Sequence, residues 1–189
     1  MGNRGLTYRH YESWDENIRC ELIDGVPCLM APPSIWHQNV AGGIYRQLGN
    51  WLEGKACKVL MAPVGVRLFP PVSADAKADD KSDGTVLEPD IIVVCDERKL
   101  ANGKVCMGAP DFVVEVASKG TKANDFGKKK DKYEKAGVRE SESSKRMRST
   151  NTFWWTANTG SPWSILEETG SAEVDVLPGC AINLVKVLG

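Results

Sequence analysis

Apolar and polar positions along this chain fall into runs of two different periods. From Ile35 to Glu53 the apolar residues Val40, Ile44, Leu48 and Leu52 recur at every fourth position, with Ala41, Tyr45 and Trp51 beside them. That spacing predicts an amphipathic helix of about five turns, capped by Ser34 and stopped by Gly54. Ahead of it, CELIDGVPCLM places two short apolar runs around Asp24-Gly25, which predicts a β-hairpin. After Gly54, KVLMAPVGVRLF reads as a strand pair or as one strand bent around Pro63. VLEPDIIVVCD reads as a strand buried on both faces, because Ile91 to Val94 is an unbroken β-branched run. ERKLANGKVCMGA reads as a connection that turns at Asn102-Gly103. DFVVEVAS alternates: Phe112, Val114 and Val116 take one face, and Val113, Glu115 and Ala117 the other. A helical pattern returns from Asn124 to Ala136 through Phe126, Tyr133 and Ala136, with Gly137 as its C-cap. FWWTA predicts a further strand, and Val174, Val176 and Leu177, then Pro178-Gly179 and AINLVKVL, predict a final strand and turn packing back on the body. Residues 1 to 17 read as a short helix or arm.

A length of 189 residues suits a single domain spanning 1–189. Two stretches lack a core-forming period. Residues 70–86 are proline-led, small and charged, and read as a mobile loop. Residues 141–165 form an atypical segment. The net charge of −1 excludes a global basic field, although lysines are dense after Lys119. For such a charge run taken alone, the ordinary reading is a solvated helix face. The six cysteines include no CxxC pair, so zinc has little support, and Cys95 reads as a small core residue. A reducing cytoplasm is the simplest compartment. The polar N-terminus carries no signal peptide, and no apolar run approaches the ~20 residues of a bilayer span, so no membrane partner is expected.

One residue changes the picture. Glu115 stands in the middle of an apolar strand, and burying an unpaired carboxylate is expensive. A metal, an arginine or a lysine would each serve as its partner. Asp90 stands at the mouth of the preceding strand, and neighbouring strands lie ~4.8 Å apart, so Asp90 and Glu115 can share one ion. Asp111 also follows a proline, but four residues of strand separate it from Glu115, ~13 Å at ~3.3 Å per residue. Asp90 is therefore the better partner. Magnesium accepts one or two protein carboxylates and keeps several waters. A lysine close by can orient a water and stabilise developing charge. Glu21 reads equally as an exposed strand carboxylate or as a functional one. His37, near a helix start, reads as structural or solvated.

Asp90 after its proline, a strand, and then Glu115 resemble the PD-(D/E)XK nuclease superfamily. That superfamily usually has lysine two residues after the glutamate, where this chain has Ala117. The longer pattern CELIDG, PPSIWHQNVAGGIYRQL, VLEPDIIVV, DFVVEVAS, DFGKKKDKYEKAGV and DVLPG is similar to a bacterial branch, the Uma-type restriction endonuclease family. The likeness covers roughly residues 18–140 and again about 167–185. It implies an α/β fold: a restriction-endonuclease-like αβββαβ core with a mixed central sheet flanked by helices. It also implies magnesium dependence, with manganese as a substitute, and a DNA substrate. In that branch the lysine lies on the following helix, which corresponds to Lys129 here. Asp125, Lys129 and Tyr133 lie on nearly one helix face. Where the branch continues after AGVRE with an aromatic strand, this chain has SESSKRMRSTNTFWWTANTGSPWS, read as a divergent replacement or as a reading-frame disturbance that recovers near Leu166.

The resulting expectation is a DNA endonuclease with Asp90 and Glu115 on the metal, Lys129 assisting the water and Glu21 as an accessory carboxylate. A homodimer would be compatible with cutting both strands. The alternatives are a catalytically inactive nuclease-like module that binds nucleic acid or a protein partner, and a structural domain with Glu115 salt-bridged to Lys129.

Overall fold

The computed structural model describes residues 5–15, 17–71, 84–116, 123–138, 153–157, 164–165 and 170–188. A short helix α1 (Tyr8–Glu12) precedes the hairpin of β1 (Cys20–Ile23) and β2 (Val26–Leu29). Asp24 and Gly25 both have positive φ, 51° and 77°, as the tight two-residue turn between these strands demands. Helix α2 (Ile35–Leu52) begins where expected, and the Ser34 side chain accepts a bond from the His37 N–H. Its buried face is Val40, Ala41, Ile44, Leu48 and Leu52. Strands β3 (Lys58–Met61) and β4 (Gly65–Arg67) follow, then β5 (Val86–Leu87), β6 (Ile91–Val94), β7 (Val105–Met107) and β8 (Phe112–Val116). Helix α3 (Ala123–Lys135) leads to β9 (Phe153–Ala157), β10 (Ser164–Ile165), the hairpin β11 (Ser171–Glu173) and β12 (Ala181–Asn183), and α4 (Val185–Leu188).

Among the described residues the strands form two five-stranded sheets and the C-terminal hairpin. The first sheet has the order β2-β1-β5-β4-β7, and the second β10-β9-β8-β6-β3. The second sheet pairs antiparallel throughout, while β4 and β7 make the first sheet mixed. Followed through the second sheet, the order is α2, β3, β6, β8, α3, β9, the αβββαβ succession expected of the fold. One face of that sheet, through Ile91, Val93, Phe112, Val114 and Val116, packs on α2 and the C-terminal hairpin. The other face, through Ile92, Val94 and Val113, packs on Val66 and Leu87 of the first sheet and on Tyr133 of α3. The alternation from Phe112 to Val116 thus sorts its side chains as the pattern requires.

Helix α3 ends in a tight carbonyl-capping turn. Gly137 has φ 94°, its N–H bonds to Glu134 O, and the Val138 N–H bonds to Tyr133 O. This is the expected glycine cap, and it pins the helix over β8.

Four readings need correction. The 86–94 run is two strands in different sheets, because Pro89 has no N–H and the Glu88 N–H is taken by Glu21 Oε1 at 2.8 Å. Around Pro63 the two-strand alternative holds, with β3 in the second sheet and β4 in the first. The connection after Cys95 contains a 3₁₀ turn (Glu97–Leu100) and β7, a strand too short for a periodic signal. AINLVKVL is a strand followed by α4, since Asn183 Oδ1 caps the Lys186 N–H and turns the chain. Cys95 is not a core thiol either: it faces Cys57 across β3 and β6 and is disulfide-bonded to it. Of the loop expected over 70–86, residues 72–83 lie outside the described residues, and Val86 is buried in β5. Of the atypical segment 141–165, only β9 and β10 are described.

Candidate active site

The break after β5 turns the chain at Glu88, Pro89 and Asp90. Continuing the β6–β8 register by one place sets Asp90 opposite Glu115. Asp90 Oδ2 accepts the Val116 N–H at 2.7 Å and meets His37 Nε2 at 3.1 Å. Two separate elements, β8 and the first turn of α2, therefore hold this carboxylate. Asp111 does something different: its Oδ2 accepts the Cys95 N–H at 2.7 Å and ties the start of β8 to the end of β6.

Glu115 is buried on the α3 side of β8. Its Oε1 accepts Tyr133 OH at 3.0 Å and Lys129 Nζ at 3.3 Å. Lys129 and Tyr133, one helical turn apart on α3, thus meet the same carboxylate oxygen. The Lys129 ammonium also lies 2.7 Å from Oε1 of Glu21 on β1. Glu21 is buried, so it is not the exposed strand carboxylate that the alternation equally allowed. The lysine therefore joins the first sheet to the second. Behind Glu21, Glu88 is held at 3.0 Å by Arg19.

Three carboxyl groups (Glu21, Asp90 and Glu115) thus surround one ammonium. Burial pushes the Glu115 carboxyl up to about 8; Lys129 opposes this, Asp90 and Glu21 reinforce it, and the Tyr133 bond opposes it. Burial alone would lower the Lys129 pKa, but Glu115 and Glu21 outweigh it, so the ammonium keeps its proton. Burial, then Glu115 and Glu21, hold the Tyr133 phenol well above its ordinary value.

Asp90 and Glu115 are the residues that could hold a metal. Their side chains keep 16% and 11% of their surface exposed. Among the described residues, Asp90 Oδ1 and Glu115 Oε2 accept no hydrogen bond. The donors are hard oxygens and the negative charge is in excess, which fits magnesium with its retained waters. Also among the described residues, no three His, Cys, Asp or Glu side chains converge as a closed metal cage.

All four residues expected at the site come together here. Two others belong with them. His37, read as structural or solvated, grips Asp90, and its Nδ1 is buried without a partner among the described residues. Tyr133 shares the Lys129 face, the one signal that pointed to it. Ala117 lies outside the described residues, as do the side chains of Asp125 and Phe126.

The fold and this carboxylate–lysine cluster define the class, a restriction-endonuclease-like α/β protein. The chain belongs to the Uma2 family, described as "Putative restriction endonuclease", whose pattern matches residues 8–141. Among solved structures it is similar to one described as "a putative nuclease belonging to DUF820 from Anabaena variabilis", with a TM-score of 0.65 over 97% of both chains and 12% identity. At that identity the likeness speaks for the fold. No curated protein matches the sequence. Among the described residues no helix is long and apolar enough to cross a membrane.

Proposed function

We propose that the protein is a magnesium-dependent DNA endonuclease that hydrolyses phosphodiester bonds. The observation carrying this reading is the Lys129 ammonium held 2.7 Å from Glu21 and 3.3 Å from Glu115, with Asp90 in register opposite Glu115. Asp90 and Glu115 would hold the ion, with manganese as a substitute. When bound, magnesium polarises a phosphoryl oxygen and acidifies water.

The chain's own residues have distinct tasks. Val116 N–H and His37 hold the Asp90 carboxylate in one orientation. Tyr133 fixes one oxygen of Glu115 and leaves the other open. Glu21 keeps Lys129 charged and aimed, so that its ammonium can donate to the attacking water or to the phosphate as charge builds up there. Lys128, exposed on α3, would meet a backbone phosphate, which positions a strand without reading its sequence, whereas Lys130 pairs with Glu134 and Lys132 with Asp24. Cutting both strands would call for two copies of the site, hence a homodimer.

The test is nicking of supercoiled DNA in magnesium, compared with chelator and with Glu115→Ala. Cleavage at the wild-type rate in Glu115→Ala would remove this site from consideration. A second reading, a nuclease-like module that binds nucleic acid without cutting it, rests on Ala117 standing where the superfamily usually has its lysine. It is distinguished by salt-sensitive DNA affinity with no response to magnesium.

A further inference from the structure

A groove of about 380 Å³ runs between α2 and α4, on the outer side of the helix whose first turn grips Asp90. Its walls and floor include Trp36, Asn39, Gly42, Gly43, Arg46 and Lys186. Two features preform it. Gln47 makes paired bonds to the Asn183 backbone, at 3.0 and 2.8 Å, which fasten β12 and the start of α4 to α2. At Gly43 a Cβ would stand 3.4 Å from the Val187 backbone, so a glycine there lets α4 come in close. At Gly42 a Cβ would meet nothing within 4 Å, so the floor of the groove is open space rather than packed core.

The lining is lopsided in charge. Arg46 and Lys186 face the groove, and no acidic side chain lines it among the described residues. Neither cation has an acidic partner among those residues. Trp36, half-buried at one end, presents an aromatic surface. Cations for phosphate beside an aromatic platform for a base are the two parts of a sequence-tolerant single-strand site. Trp36 and Arg46 are ten residues apart on α2, ~15 Å along the helix.

We propose that this groove is a subsite for single-stranded nucleic acid, with phosphates on Arg46 and Lys186 and a base against Trp36. Because Trp36 directly precedes His37, the groove leads a strand away from the carboxylate cluster. The choice of nucleic acid as occupant rests on the nuclease reading above; the groove, its charge and its aromatic wall do not.

The test uses the full chain, a labelled ten-nucleotide single strand, and chelator, so that binding is read without cleavage. Arg46→Ala with Lys186→Ala should weaken binding about tenfold or more and reduce the salt slope by about 1.4. Gly42→Glu places a carboxylate in the open floor without a clash, and should weaken binding to a similar extent with unchanged thermal stability. Trp36→Phe should remove most of the tryptophan quenching seen on binding. Wild-type affinity and salt slope in the double variant would overturn the proposal. So would equal competition by inorganic polyphosphate without quenching, or no binding by the wild type. If Glu115→Ala leaves nicking intact while the groove variants still lose the oligonucleotide, the carboxylate site fails and the groove stands. If nicking depends on Glu115 and the groove variants bind normally, the groove fails alone.

Discussion

Lys129 Nζ on α3 lies 2.7 Å from Oε1 of Glu21 on β1, closer than its 3.3 Å approach to Glu115 on β8. The lysine is therefore as much a tie between the two sheets as a neighbour of the strand glutamate. Lys129→Met should cost about 3–5 kcal/mol in urea unfolding, because it leaves the buried Glu21 carboxylate without its cation. Combining it with Glu21→Gln should cost less than the sum of the single changes, by at least about 1 kcal/mol. Strict additivity would mean that the pair is not coupled.

Asp90 and Asp111 make opposite predictions from similar sequence surroundings. Asp90→Asn should abolish manganese binding in calorimetry. Asp111→Asn should keep it and lower stability by about 0.5–1.5 kcal/mol, since the half-buried bond from the Cys95 N–H is weakened. Equal loss of metal binding in both variants would contradict the assignment.

His37→Ala should lower metal affinity about 10–100-fold by releasing the Asp90 carboxylate, with His37→Gln recovering part of the loss. A purely structural histidine would lower the melting temperature and leave metal affinity alone.

The proton on Glu115 predicts an unusual pH dependence for the metal-free protein. The folded state holds that proton with a pKa of about 8, against 4.5 for an ordinary glutamate. Between these values the folded state binds a proton that the unfolded state has lost. The contribution to stability is complete below the lower value and falls as pH rises through the upper one, by at most about 1.4 kcal/mol per pH unit. In chelator the melting temperature should therefore decline across this window, and Glu115→Gln should flatten the profile. A melting temperature that climbs with pH over the same range would reverse the sign and refute it. Metal binding requires the carboxylate, so magnesium should stabilise the protein more at high pH than at low.

Glu115→Ala should reduce nicking of supercoiled DNA by at least about a hundredfold if the cluster is the reaction centre. The same preparation should still bind DNA in a salt-dependent way, which separates loss of chemistry from loss of fold.

Local signals made much of the fold legible. The four-residue apolar period of α2, the Asp24-Gly25 turn, the alternation in β8 and the Gly137 cap each depend on a few neighbouring residues. Backbone preference and one-sided burial act over that short range. The break inside 86–94 was less legible. Pro89 marks the place, but a proline also suits the first position of a strand, and it is the Glu21 carboxylate on the Glu88 N–H that, with Pro89, ends one ladder before another begins in a different sheet.

The sequence by itself determined that a buried glutamate needed a partner, that Asp90 was the better second carboxylate, and which family pattern the chain follows. Only the tertiary structure decided that Glu21 is buried against Lys129, that His37 rather than solvent meets Asp90, and that Tyr133 shares Glu115. These contacts join β1, α2, β8 and α3, far apart in the chain. They are chosen by how two sheets and two helices pack, because a buried charge takes whatever partner that packing brings within reach.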